Sequence, residues 1–231
     1  VAVQVAVGAG QDPHTFEPTP RCMLALGRAQ LFFKAGLPFE NRLVEKIRGY
    51  HRRLTVVDTA RGIKKRMMAA AGCDHEHHDR HDHDRHDHEA AEPDPHVWLS
   101  PPLAKIQAAN VAEALQEADP AHAAEYGKNL AALLSDLDAT HARIRRVLKP
   151  HEGQSFYVFH PAFGYFGDTY GLKQQAVESE GKMPAPRQLR ALIKKAQAEQ
   201  VRIIFVQPQF DQRTAEVVAG LIGGVAVPID P

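Results

Sequence analysis

Four residues of this chain can ligate a metal and occupy comparable places in the sequence: His14, His96, His160 and Asp230. His14 follows the alternating run Val1 to Val7, and His160 ends the apolar run Ser155-Phe-Tyr-Val-Phe159. His96 precedes the helix start at Ser100, and Asp230 ends the run Val225 to Ile229. A lone histidine is more often a surface or hydrogen-bonded core residue. The shared position, just beyond a strand or where a loop enters a helix, makes these four a candidate site. Three neutral imidazoles and one carboxylate form a four-coordinate set well suited to zinc.

A second group is compositional. Between Asp74 and Glu89 lie His75, His77, His78, His81, His83, His86 and His88, half of the 14 histidines of the chain, interleaved with aspartates. The run has no apolar residue to bury and no helical or strand period, so it is expected to be a solvated, mobile loop that collects divalent metal weakly. Its internal position argues against a terminal tag. Three carboxylates are candidates for a supporting role: Glu17, close to His14, and Glu178 and Glu180, which follow a strand and can accept an imidazole N–H. Trp98, Phe163, Tyr165 and Phe166 are expected to pack beneath the site. His51, His122, His141 and His151 read as surface residues.

The 231 residues carry 28 basic and 28 acidic side chains, a formal charge of zero, so nothing points to nucleic acid or an anionic membrane as partner. No apolar stretch approaches the length of a bilayer span. The first residues lack the basic start of a signal peptide, which implies a removed signal or a fragment. Cys22 and Cys73 can form one bridge in an oxidising compartment or remain free, and both alternatives stand.

The elements that must position the candidate ligands alternate. Strands are expected at Val1 to Val7, Leu31 to Phe33, Leu54 to Asp58, Ser155 to Phe159, Lys173 to Val177, Ile203 to Val206 and Val225 to Ile229. Helices fall between them: Pro20 to about Ala29, entered through the cap Thr19, then Pro38 to His51, one near Pro161, Pro186 to Gln200, and Asp211 to Leu221. This alternation implies βαβ units and mostly parallel sheets. From Pro120 to Leu148 the residues Leu130, Leu133, Leu134, Leu137, Ile144, Val147 and Leu148 recur at helical spacing. They predict one amphipathic helix of roughly 40 Å, long enough to join two lobes. The reading is therefore α/β: two lobes with mostly parallel sheets flanked by helices, a first lobe over 1–119 carrying the loop 74–89, a linking helix over 120–149, and a second lobe over 150–231. In open parallel sheets ligands bind outside the carboxyl ends of the strands, which puts the four ligands in the cleft between lobes.

At these residues the chain resembles a known family. Asp12-Pro-His-Thr-Phe-Glu-Pro-Thr-Pro20, Asp94-Pro-His-Val-Trp-Leu-Ser-Pro101, Phe159-His-Pro-Ala-Phe-Gly-Tyr-Phe166, Gln207-Pro-Gln-Phe210 and Ile229-Asp-Pro231 resemble signature segments of zinc-specific substrate-binding proteins of bacterial ABC transporters. The resemblance implies that His14, His96 and His160 are direct ligands, that Asp230 ligates or yields to water, and that the His-rich loop sits where zinc members carry one. Manganese-type relatives carry Glu in place of His160, and imidazole favours zinc over manganese. It further implies a monomeric receptor outside the cytoplasm, periplasmic or lipid-anchored, that hands zinc to an inner-membrane permease, with the long helix restricting hinge motion. The family pattern also includes a strand and helix before the matched region and a helix after it, so the chain reads as truncated at both ends. Two other classes fit a three-histidine site with a His-rich run: a zinc hydrolase with an open coordination position, with Glu17 or Glu178 as base, and a zinc storage protein or adhesin.

Overall fold

The computed structural model describes residues 1–8, 10–48, 53–68, 93–178 and 184–230. In the first lobe, helix α1 (Pro20–Leu26), strand β1 (Leu31–Lys34), helix α2 (Pro38–Arg48) and strand β2 (Thr55–Asp58) alternate as the sequence predicts. Thr19 caps α1 by accepting from the Cys22 amide at 3.2 Å, with Pro20 at the first helical position, where its missing N–H costs nothing. Strands β1 and β2 pair in parallel, Leu31 beside Thr55 and Lys34 beside Asp58. Phe16, Leu26, Phe32, Phe39, Leu43 and Ile47 close the core beneath them. Glu40, in the first turn of α2 and buried, reaches back to accept from the amides of Ala35, Gly36 and Leu37 at 2.9, 2.7 and 2.8 Å. It satisfies three donors that the entry to the helix would otherwise orphan.

Val1 to Val7 does not form the predicted strand. It has the alternation of a strand but no ladder partner among the described residues, and Val1, Val3 and Val5 project into solvent. Alternation marks a strand only where a neighbour supplies the hydrogen bonds. Cys22 carries no disulfide among the described residues. Cys73, His51, Glu180 and the run 74–89 lie outside the described residues.

Helices α3 (Pro101–Ala118) and α4 (Ala123–Leu148) form the long connection. Lys105 meets Asp138 and Gln116 meets the carbonyl of Ala123, so the two run antiparallel. The predicted helix from Pro120 begins with a 3-10 turn, Pro120–His122, before α4 proper. At its far end His141 reaches the Tyr170 hydroxyl of the second lobe, 3.1 Å away.

The second lobe holds strands β3 (Ser155–Val158), β4 (Lys173–Ala176), β5 (Ile203–Val206) and β6 (Val225–Pro228), all parallel, in the order β4-β3-β5-β6. Helices α5 (Gly164–Tyr170), α6 (Pro186–Ala198) and α7 (Gln212–Leu221) alternate with them. Tyr157, Val177, Ile204, Val206, Ala215 and Ile222 fill the core. The helix expected near Pro161 starts three residues later, because the segment after His160 turns tightly, with the Ala162 amide donating to the His160 carbonyl. Gly171 ends α5 in the left-handed region, φ 70°, where a side chain would be strained.

The lobes interlock at α5. Tyr165 packs against Ala60, Ile63 and Val97 of the first lobe. Leu99 of the first lobe packs against Val158, Ala162 and Phe163 of the second. Ser100, where the sequence places a helix start, makes no side-chain capping bond to α3 and instead meets the Thr169 hydroxyl at 2.8 Å.

Candidate metal centre

Three histidines from three separate segments converge between the lobes. His14 comes from the loop before α1, His96 from the turn entering α3, and His160 from the carboxyl end of β3. Their ligand atoms all lie within 4.8 Å of one another. His96 Nε2 is 3.3 Å from His14 Nε2 and 3.4 Å from His160 Nε2. Nitrogens bound tetrahedrally to one zinc at its usual bond length stand about 3.3–3.4 Å apart. The two separations therefore match those of a zinc-bound set.

Each ring is held by its surroundings. Asp12 and Asp94 play the same local part: the carboxylate of each accepts from the amide of the histidine two residues on, at 2.9 and 3.0 Å, fixing the backbone after the proline. Asp94 also engages His96 Nδ1 at 2.7 Å, which directs Nε2 into the cluster. Glu178, just past β4, plays that part for His160 Nδ1. Such carboxylate–imidazole pairs fix the tautomer and raise the basicity of the metal-facing nitrogen. His160 is further clamped by Gln207, past β5, whose side chain donates to the His160 carbonyl at 3.1 Å and accepts from its amide. Phe210 stacks on the His160 ring, 4.6 Å between centroids. Trp98 lies 5.3 Å from the His96 ring.

Burial and mutual repulsion set the electrostatics. His14, whose ring has no carboxylate partner among the described residues, is pushed down to about 4, chiefly by burial and then by His160 and His96. His96 also falls below its ordinary value, burial outweighing the upward pull of Asp94. Neutral imidazoles are the form that binds metal.

The predicted ligands separate at this point. His14, His96 and His160 are brought together, whereas Asp230 is exposed past β6 and is not among the three-residue group. Glu178 is buried on His160, and Glu17 is exposed. Among the described residues, sequence reasoning missed Asp94, Gln207 and Phe210. The repeated Asp-Pro-His at 12–14 and 94–96 was the available signal for the first.

The family model described as zinc-uptake complex component A periplasmic, ZnuA, matches residues 1–231. The chain belongs to the ZnuA family. The high-affinity zinc uptake system protein ZnuA of Bacillus subtilis is 30% identical over 225 residues, 96% of this chain and 68% of that protein. The protein of the same name from Brucella abortus is 36% identical over 129 residues, 55% of this chain, and the alignment spans 39% of its length. A crystal structure of a ZnuA deletion mutant with zinc bound superposes with a TM-score of 0.86 at 34% identity, covering 100% of this chain and 82% of that one. ZnuA proteins are periplasmic components of zinc uptake, a family of transport proteins.

Proposed function

We propose that the chain is a zinc receptor: it captures zinc outside the cytoplasm with His14, His96 and His160 and delivers it to an ABC permease. The observation that carries this reading is the convergence of three imidazoles, with His96 Nε2 at zinc-like spacing from the Nε2 atoms of both His14 and His160, and with His96 and His160 backed by buried carboxylates. The fourth position goes to an exchangeable ligand, water or the Asp230 carboxylate. The reading assigns 1–119 and 150–231 to the two lobes and 120–149 to the link, a monomer that performs no catalysis, and an extracytoplasmic location with or without a lipid anchor. The histidines of 74–89 supply additional weak sites.

Competitive titration of the metal-free protein against a zinc chelator tests this. One tight zinc per chain, lost in His160→Ala and kept when 74–89 is deleted, is the expected result. Tight binding that disappears only with 74–89 would overturn the receptor reading and leave a buffering protein.

A further inference from the structure

Arg66 belongs to no ligand set, yet it touches both lobes directly behind the site. Its Nε lies 3.7 Å from Asp94 Oδ2, an ion pair rather than a hydrogen bond, while the other oxygen of that carboxylate holds His96. Its Nη1 lies 3.4 Å from Asp168 Oδ2 on α5. Its guanidinium sits over the Tyr165 ring, 5.8 Å from the centroid. The backbone joins the same knot: the Arg66 amide donates to the Tyr165 hydroxyl at 3.0 Å, that hydroxyl donates to the Asp94 carbonyl at 2.9 Å, and the Asp94 amide donates to the Arg66 carbonyl at 2.8 Å. Gly164 leaves the notch in which the guanidinium lies, since a methyl group there would overlap it.

We infer that Arg66 is a positioning residue for zinc binding, acting through Asp94 to orient His96 and tying that orientation to the docking of α5. The inference rests on the receptor reading above. Asp94 is buried, and among the described residues its carboxylate is engaged by the His96 amide, the His96 ring and Arg66. The half-buried guanidinium faces the carboxylate oxygen that does not hold His96 Nδ1 and, through Asp168, is itself fixed to α5, so it holds the Asp94 side chain in the orientation that aims the imidazole. Lysine carries the charge but lacks the planar fork that addresses Asp94 and Asp168 together.

The test is a double-mutant cycle on zinc affinity, read by chelator competition with zinc alone as the ligand, beside the thermal midpoint of each metal-free variant. Arg66→Gln is expected to weaken zinc binding about tenfold, the lower end of what loss of an outer-shell partner costs. Asp94→Asn weakens it at least as much, and adding Arg66→Gln in that background has no further effect, because both act on one ligand. Arg66→Lys recovers part of the loss. Gly164→Ala, which keeps every charge and favours the helix, displaces the guanidinium and reproduces the Arg66→Gln defect; it carries the test if Arg66→Gln fails to fold. Wild-type affinity in Arg66→Gln with weakened binding in Asp94→Asn, or additive losses in the double variant, would overturn the inference while sparing the receptor reading. Undiminished binding in His160→Ala would overturn both.

Discussion

At the scale of single residues, the site is a set of histidines whose neighbours decide their chemistry. Glu178 and Asp94 each occupy one Nδ1, and removing the charge without the shape isolates that contribution. Glu178→Gln is expected to weaken zinc binding about 10- to 100-fold, with little change in the fold, by the same competition assay. His14 makes a different prediction. In the unfolded chain it takes up a proton near pH 6.5, but in the folded metal-free protein only near 4. Between those values the unfolded state binds more protons, so the stability present above about pH 6.5 is lost as pH falls toward about 4. His96, shifted the same way, adds to the slope. Thermal midpoints of chelated protein across that window are expected to fall with pH, and less steeply in His14→Gln. The three histidines were legible because each stands beside a recognisable pattern: His160 ends an apolar run, His96 precedes a helix start, and His14 repeats the Asp-Pro-His of 94–96. Asp94 was not, because a carboxylate two residues before a histidine reads equally well as turn chemistry, which it also performs.

The elements were legible wherever local pattern and long-range pairing agree. All six described strands and the long connecting helix lie where alternation and helical spacing put them, within a few residues at their ends. Val1 to Val7 shows the limit: the pattern is present but no strand among the described residues pairs with it, and hydrogen bonding across strands is not written in one segment. Helix α2 offers an element-scale test that leaves the metal aside. Glu40→Ala strips the acceptor from three amides around a buried helix start, and is expected to destabilise the protein by about 2–3 kcal/mol in denaturant unfolding. Zinc affinity is expected to stay within about twofold, since the carboxylate serves α2 and touches no residue of the site.

For the whole molecule, the sequence predicts two lobes and a link, and that is the architecture; how the lobes meet depends on contacts far apart in the chain. Tyr165 is read from sequence as packing beneath the site, and it does, but as a residue of the second lobe completing a cluster of the first. Leu99 makes the reciprocal contact. Because each lobe finishes part of the other's core, calorimetry of the metal-free protein is expected to give one unfolding transition rather than two. Tyr165→Ala is expected to lower its midpoint, through a cavity lined by Ala60, Ile63 and Val97. The interlock also bears on how such a molecule can change over generations. A lobe inherited from another lineage would arrive without the matching half of the contact, so recombination at the linking helix yields a folded product only when Tyr165 and the pocket that receives it travel together.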